Sequence, residues 1–354
     1  MTRTELQSGD PSVCHCSASS ASPGVPQARC CEDGGRTVAV CHCSVSRASD
    51  APAIASTLRG PGMNRLRAYL ELIRLPNLFT AIADVTAGFL YMGGRWQDLN
   101  VLAPLVCASV CLYAGGVALN DVCDARRDAV ERPERPIPSG RIKRRAAAAF
   151  ALSLLALGVL SAALASPRAL VVAALLTVMI LFYDAALKAT ALGPWTIGLC
   201  RALNLSLGLS VHPTFRTFVG TIPILLLITT YTASIGVFAR DEATNSERKR
   251  LIRGTLGVCL SVAALAVIPF ITPDGRLSAI SFIALLASFL GVQGLRAANF
   301  RSPGEVQRAV GIFIMGLIGF DAAIAWAARG IEAGVAVAAW IIPTAYLRTR
   351  FKMS

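Results

Sequence analysis

LNDVCDARRDAVERPERPIPSGRIKRR, residues 119–145, places aspartates at 121, 124 and 128 and packs eight Arg and Lys between 126 and 145. The chain on both sides is strongly apolar, so this charged cluster closes a hydrophobic helix. Asp121, Asp124 and Asp128 stand at i, i+3 and i+7, and a helix continuing from the apolar run lines them on one face. Asn120 lies one turn before Asp124. Three like charges repel unless a cation joins them. Oxygen-only ligands suit Mg²⁺, which keeps several waters and binds through one or two carboxylates plus substrate phosphates. The plain alternative, a solvated acidic helix end, requires neither the asparagine nor the helical spacing. Arg135 follows in RPIPSG, where Pro136 and Pro138 stiffen the chain and Gly140 permits a sharp exit. A guanidinium fixed beside Mg²⁺ can clamp phosphate oxygens bidentately. The later Arg141, Lys143, Arg144 and Arg145 suit anionic lipid at a membrane surface.

Working outward, 54% of the 354 residues are apolar, 16% are charged, and the mean hydropathy is +0.57. An average soluble domain carries about 25% charged residues, so the chain reads as a membrane protein. The net charge of +13 does not indicate nucleic acid, because the basic residues fall in short runs between apolar stretches, the pattern of cytoplasmic membrane loops. Ten spans are expected, near 77–94, 101–120, 146–165, 169–187, 194–211, 217–239, 251–271, 278–297, 306–328 and 331–347. The fifth is the weakest, since it carries Arg201 and Asn204. Alternate connections hold most of the Arg and Lys, including the runs at 126–145 and 240–253, while the others hold little more than Arg95, Arg168, Arg216, Arg276 and Arg329. This asymmetry puts both termini and the charged loops in the cytoplasm. The expectation is an all-α polytopic bundle of nine to ten helices in a bacterial inner membrane, capped by polar loops.

Residues 1–62 differ from the rest. They hold six of the eleven cysteines in a Cys-, Ser- and Pro-rich stretch with two Cys-His-Cys triplets. That spacing is tighter than usual zinc sites, and the flanks have no apolar periodicity, so a disordered or dispensable extension is expected. The membrane domain is then 63–354, and Met63 reads like a natural start.

NDVCDARRD resembles the NDxxDxxxD signature of the UbiA superfamily of intramembrane prenyltransferases. RPIPSG resembles that family's RPL-x-SG segment, and YDAALK at 183–188 its YS-x-x-LK element. GPWTIGLCRALNLSLGLS looks like the family's EboC-like branch. The resemblance implies a helical bundle with a cavity open to lipid and Mg²⁺-dependent transfer of a prenyl group from its diphosphate to an acceptor, often aromatic. It assigns the first metal to Asp121, Asp124 and Asp128, the orientation of these carboxylates to Asn120, and diphosphate binding to Arg135 and Lys188.

Two positions depart from the family. Its second carboxylate motif here reads ARDEATNSERKR, leaving Asp241 and Asn245 as the residues for a second metal. Asp184 stands where the family has Ser, beside Tyr183. It can pair with Lys188 at i, i+4, supplement the second metal, or act as a base on the acceptor; pairing is the favoured reading. Arg201 and Asn204 are costly at membrane depth unless they face a polar cavity, which suggests substrate contact. Asp84 and Asp321, also at membrane depth, have no assigned role. Arg74 and Asn77 open the first span within reach of the cavity. Tyr113, Phe182, Tyr183 and Tyr231 are candidates to face an allylic cation. The rival reading is a non-catalytic or transport-associated protein that binds a lipid diphosphate or a small metabolite in the same cavity.

Overall fold

The computed structural model describes residues 61–211, 215–240, 247–272 and 275–351, and all regular structure among them is helical. All but the last two residues of the Cys-rich extension lie outside the described residues. A short helix, α1 (Pro61–Leu72), precedes Arg74 and a single 3₁₀ turn at Leu75–Asn77. Then follow α2 (Leu78–Tyr91), α3 (Leu99–Cys123), the short α4 (Ala125–Glu131), α5 (Arg144–Ala165) and α6 (Pro167–Phe182). The second half contains α7 (Gly193–Leu209), α8 (Phe215–Ala239), α9 (Arg248–Ala263), α10 (Ile268–Ile271), α11 (Ala279–Phe300), α12 (Pro303–Arg329), α13 (Ile331–Ala338) and α14 (Ile341–Arg350).

Among the described residues, eight helical stretches are long and apolar enough to cross a membrane. The expected first and fifth spans are present as α2 and α7 but are shorter, at 14 and 17 residues. The tenth span is broken between α13 and α14. Pro343 lacks an N–H and its ring crowds the carbonyl four residues earlier, at Ala339, where the helix parts. The seventh tightens into a 3₁₀ turn at Ala264–Val267, just before Pro269, for the same reason. Between α5 and α6 the chain reverses over one residue. Ser166 caps α6 by accepting the Ala169 N–H at 3.0 Å, with Pro167 as its first residue.

Each half has its own apolar core. One is built from α2, α3, α5 and α6, the other from α8, α9, α11 and α12. Helix α2 packs against both α7 and α12, which places these three at the junction of the halves. The α2–α7 contact is backbone to backbone. A Cβ on Gly208 would lie 2.1 Å from the Val85 carbonyl oxygen, and one on Gly88 would lie 2.5 Å from that of Leu205. Small residues permit such close approach where lipid offers no hydrophobic drive to association. Gly208→Val should therefore lower stability by about 1–3 kcal/mol, read as earlier thermal unfolding in detergent. Gly304→Ala, with nothing within 4 Å, should leave it unchanged.

Candidate active site

The aspartate run closes α3 much as its spacing requires. Helix α3 ends at Cys123, yet the Asp124 N–H still reaches the Asn120 carbonyl and the Asp128 N–H reaches that of Asp124, both at 2.9 Å. The three carboxylates thus stay on one side of a slightly bent helix. Asp121 and Asp128 are buried, as is Arg135 between them. Arg135 Nη1 donates to Asp128 Oδ2 at 2.7 Å and to Asp121 Oδ1 at 3.4 Å. Arg74 Nη2 donates to the same Asp121 oxygen at 3.1 Å. Arg74 adopts a left-handed backbone, φ 50° and ψ 55°, a conformation uncommon outside glycine. That kink turns the chain from α1 into the first span and delivers the guanidinium to Asp121.

Lys188 completes the cluster from the far side. After α6 the helix widens into one π turn, Tyr183–Leu187, in which the Lys188 N–H bonds the Tyr183 carbonyl five residues back at 3.0 Å. Such bulges often occur at functional sites. Lys188 Nζ donates to Asn120 Oδ1 and Asp124 Oδ2. The expected Asp184–Lys188 pair does not form, because the π turn breaks the i, i+4 spacing and Lys188 is taken by α3. Both Asp184 carboxylate oxygens are left without a partner.

Below this charged end lies a cavity of about 470 Å³ with largely apolar walls. Arg74, Asn77, Asn120, Tyr183, Asp184, Arg201 and Asn204 all line it. Arg135 does not. It borders a smaller polar hollow of about 190 Å³ together with Asp124 and Asp128, and Arg74 and Asn120 belong to both spaces. Of the four aromatic candidates, Tyr113 and Tyr183 face the cavity. Tyr231 is instead fully buried in the second core, its hydroxyl donating to the Phe313 carbonyl at 2.8 Å. Phe182 is exposed on the outer surface of α6. Thr232 is a cavity residue the sequence did not single out; its hydroxyl has no partner, and a lone threonine in an apolar span gives no signal of its own.

At membrane depth a second polar cluster crosses the helix junction. Arg201 Nε lies 2.9 Å from Asp84 Oδ2. Asn204 donates to Asp84 Oδ2 at 2.8 Å and to the Ala81 carbonyl at 3.1 Å, and accepts from Ser109 at 2.8 Å. The amide of Asn204 is therefore spent on the protein itself. Asp321, fully buried near Asp84, has no hydrogen-bond partner for either carboxylate oxygen.

Asp241 and Asn245, the expected second metal residues, lie outside the described residues. Among the described residues, no three acidic groups close on one point. The all-oxygen set Asn120, Asp121, Asp124 and Asp128 nonetheless fits a hard cation held by one or two carboxylates and completed by phosphate oxygens.

A helical membrane bundle with an apolar cavity and a carboxylate–cation mouth is the architecture of an intramembrane prenyltransferase. The chain belongs to the UbiA prenyltransferase family, whose profile matches residues 81–318, and it is a multi-pass integral membrane protein. It is 34% identical over 279 residues to digeranylgeranylglyceryl phosphate synthase from Methanopyrus kandleri, covering 73% of this chain and all of that one. A solved structure of a digeranylgeranylglyceryl phosphate synthase aligns with TM-score 0.57 at 20% identity, over 76% of this chain and 99% of that one. A UbiA homolog from Archaeoglobus fulgidus, solved with GPP and Mg²⁺, aligns with TM-score 0.53 at 16% identity, over 77% and 99%. The compound in the name of the first two is a glyceryl phosphate with two geranylgeranyl groups and no aromatic ring, whereas the family resemblance left the acceptor open, often aromatic.

Removing one partner of a buried ion pair strands the other, at about 3–5 kcal/mol. Arg135→Ala should destabilise the protein by that order, measured by thermal unfolding in detergent. Adding Asp128→Asn should recover part of the loss.

Proposed function

We propose that this protein transfers a prenyl group from a prenyl diphosphate to a hydroxyl of a glyceryl phosphate-type lipid within the membrane. The observation that carries this reading is the matched set of Asp121, Asp124 and Asp128 with Arg74, Arg135 and Lys188 at the mouth of an apolar cavity. Asp121, Asp124 and Asp128 would hold Mg²⁺, with Asn120 beside them, and Asp241 and Asn245 would serve a second ion. When bound, the metal supplies positive charge against which a diphosphate can depart.

Arg74, Arg135 and Lys188 are close enough to exchange a carboxylate for phosphate oxygens when substrate enters, so charge developing on the leaving diphosphate meets cations already in place. The isoprenoid lies in the apolar part of the cavity, where Tyr113 and Tyr183 offer π faces to the allylic carbon, and the walls exclude water. The acceptor oxygen bonds to that carbon as the carbon–diphosphate bond breaks, with the electron pair leaving on the diphosphate. Asp184, the cavity carboxylate without a partner, receives the acceptor's proton. The charged mouth faces the cytoplasm of a plasma membrane, a reading supported by the Arg and Lys asymmetry of the connections.

Membranes supplied with Mg²⁺, labelled geranylgeranyl diphosphate and geranylgeranylglyceryl phosphate should form the doubly alkylated product. Asp121→Ala and Asp124→Ala should each reduce its formation by roughly 10²–10³-fold. Wild-type membranes that form no product, or either variant at full rate, would refute the assignment.

A further inference from the structure

We propose that Arg201 forms a second polar subsite, at membrane depth, that binds a neutral oxygen of the acceptor. The inference rests on the prenyl-transfer reading above and assigns this role to a residue that makes no contact with the aspartate end.

Arg201 is more than nine-tenths buried and lines the 470 Å³ cavity. It is ion-paired with Asp84 at Nε, and that contact is not aligned as a hydrogen bond; Nη2 also has no hydrogen-bond partner. A guanidinium has five donors, and leaving those on Nε and Nη2 unmade in an apolar wall is costly. Something entering the cavity is therefore expected to accept from it. Thr232, with its own unpartnered hydroxyl, lines the same space.

Charge selects the kind of oxygen. Asp84 and Asp321 are both fully buried near this single guanidinium, and both Asp321 oxygens lack a hydrogen-bond partner. With one of the two carboxyls protonated the cluster is neutral; with both ionised it is already negative. A phosphate or carboxylate arriving here would add uncompensated charge at low dielectric, which is prohibitive. A hydroxyl, ether or carbonyl oxygen accepts the same hydrogen bonds and adds none.

Depth sets what the subsite can read. The Arg201 guanidinium lies 6.0 Å over the Tyr113 ring, and Tyr113 is eight residues below Asp121 on α3, about 12 Å along the axis. A diphosphate bound at the mouth does not reach that level, so Arg201 holds the acceptor and leaves anionic groups to the cationic mouth. Asp84, Asn204 and Ser109 act as positioning residues that fix the guanidinium.

The test is equilibrium binding to purified full-length protein in nanodiscs, with two radiolabelled probes, geranylgeranylglyceryl phosphate and its dephosphorylated form, geranylgeranylglycerol. Arg201→Lys and the charge-balanced Asp84→Asn/Arg201→Gln should weaken both probes by the same factor, roughly 10–100-fold, with geranylgeranyl diphosphate affinity unchanged. Weakening of the phosphorylated probe alone would put a phosphate at Arg201 and overturn the proposal. Undiminished binding of both probes would make the residue purely structural, and absence of saturable binding of either to the wild type would equally overturn it. Failure of the prenyl-transfer reading has a separate signature, the absence of Mg²⁺-dependent geranylgeranyl diphosphate binding by the wild type.

Discussion

Asp121 is held by two guanidinium groups that reach it from opposite directions along the chain. Arg74 comes from before the first span and Arg135 from the loop after the second. Each costs something locally: a left-handed residue at 74, and a proline-stiffened loop at 135. Around this shared carboxylate the remaining charged groups fall into place, with Asp128 on Arg135 and Asp124 on Lys188. The end of the bundle is thus a lattice of alternating charge, in which Asp121, Asp124 and Asp128 each have a cationic partner.

The cavity beneath has polarity at two levels. Its mouth is charged and borders the polar hollow. Its depth is largely apolar apart from Arg201, Asn204 and Thr232, and Arg201 and Asn204 lie on α7, one of the helices where the halves meet. The same junction that brings glycines into backbone contact also carries the buried ionic cluster. Close packing and charge pairing therefore act on one seam.

Much of this was legible in the sequence because membrane burial makes polar residues conspicuous. The aspartate spacing at 121, 124 and 128 predicts a shared face, and the face forms. Arg201 and Asn204 stand out against an apolar span, and both line the cavity. The failures are equally physical. A helical wheel assumes 3.6 residues per turn, so the π turn at 183–187 made Asp184 and Lys188 look like partners when Lys188 belongs to α3. Aromatic residues carry no sign of which side of a lipid-facing helix they occupy, so Phe182 and Tyr231 could not be separated from Tyr113 and Tyr183. The Asp84–Arg201 pairing joins positions far apart in the chain, and only the packing of α2 on α7 brings them together.

The π turn also fixes the phase of everything after it. One residue more than a regular turn shifts the following chain by about 100° around the helix axis, and that offset is what swings Lys188 onto Asn120 and Asp124. Deleting Ala185 or Ala186 would restore ordinary helical pitch with every side chain of the site still present. The lysine would then face another direction. At this position the length of the chain is as much a determinant of the site as the identity of its residues.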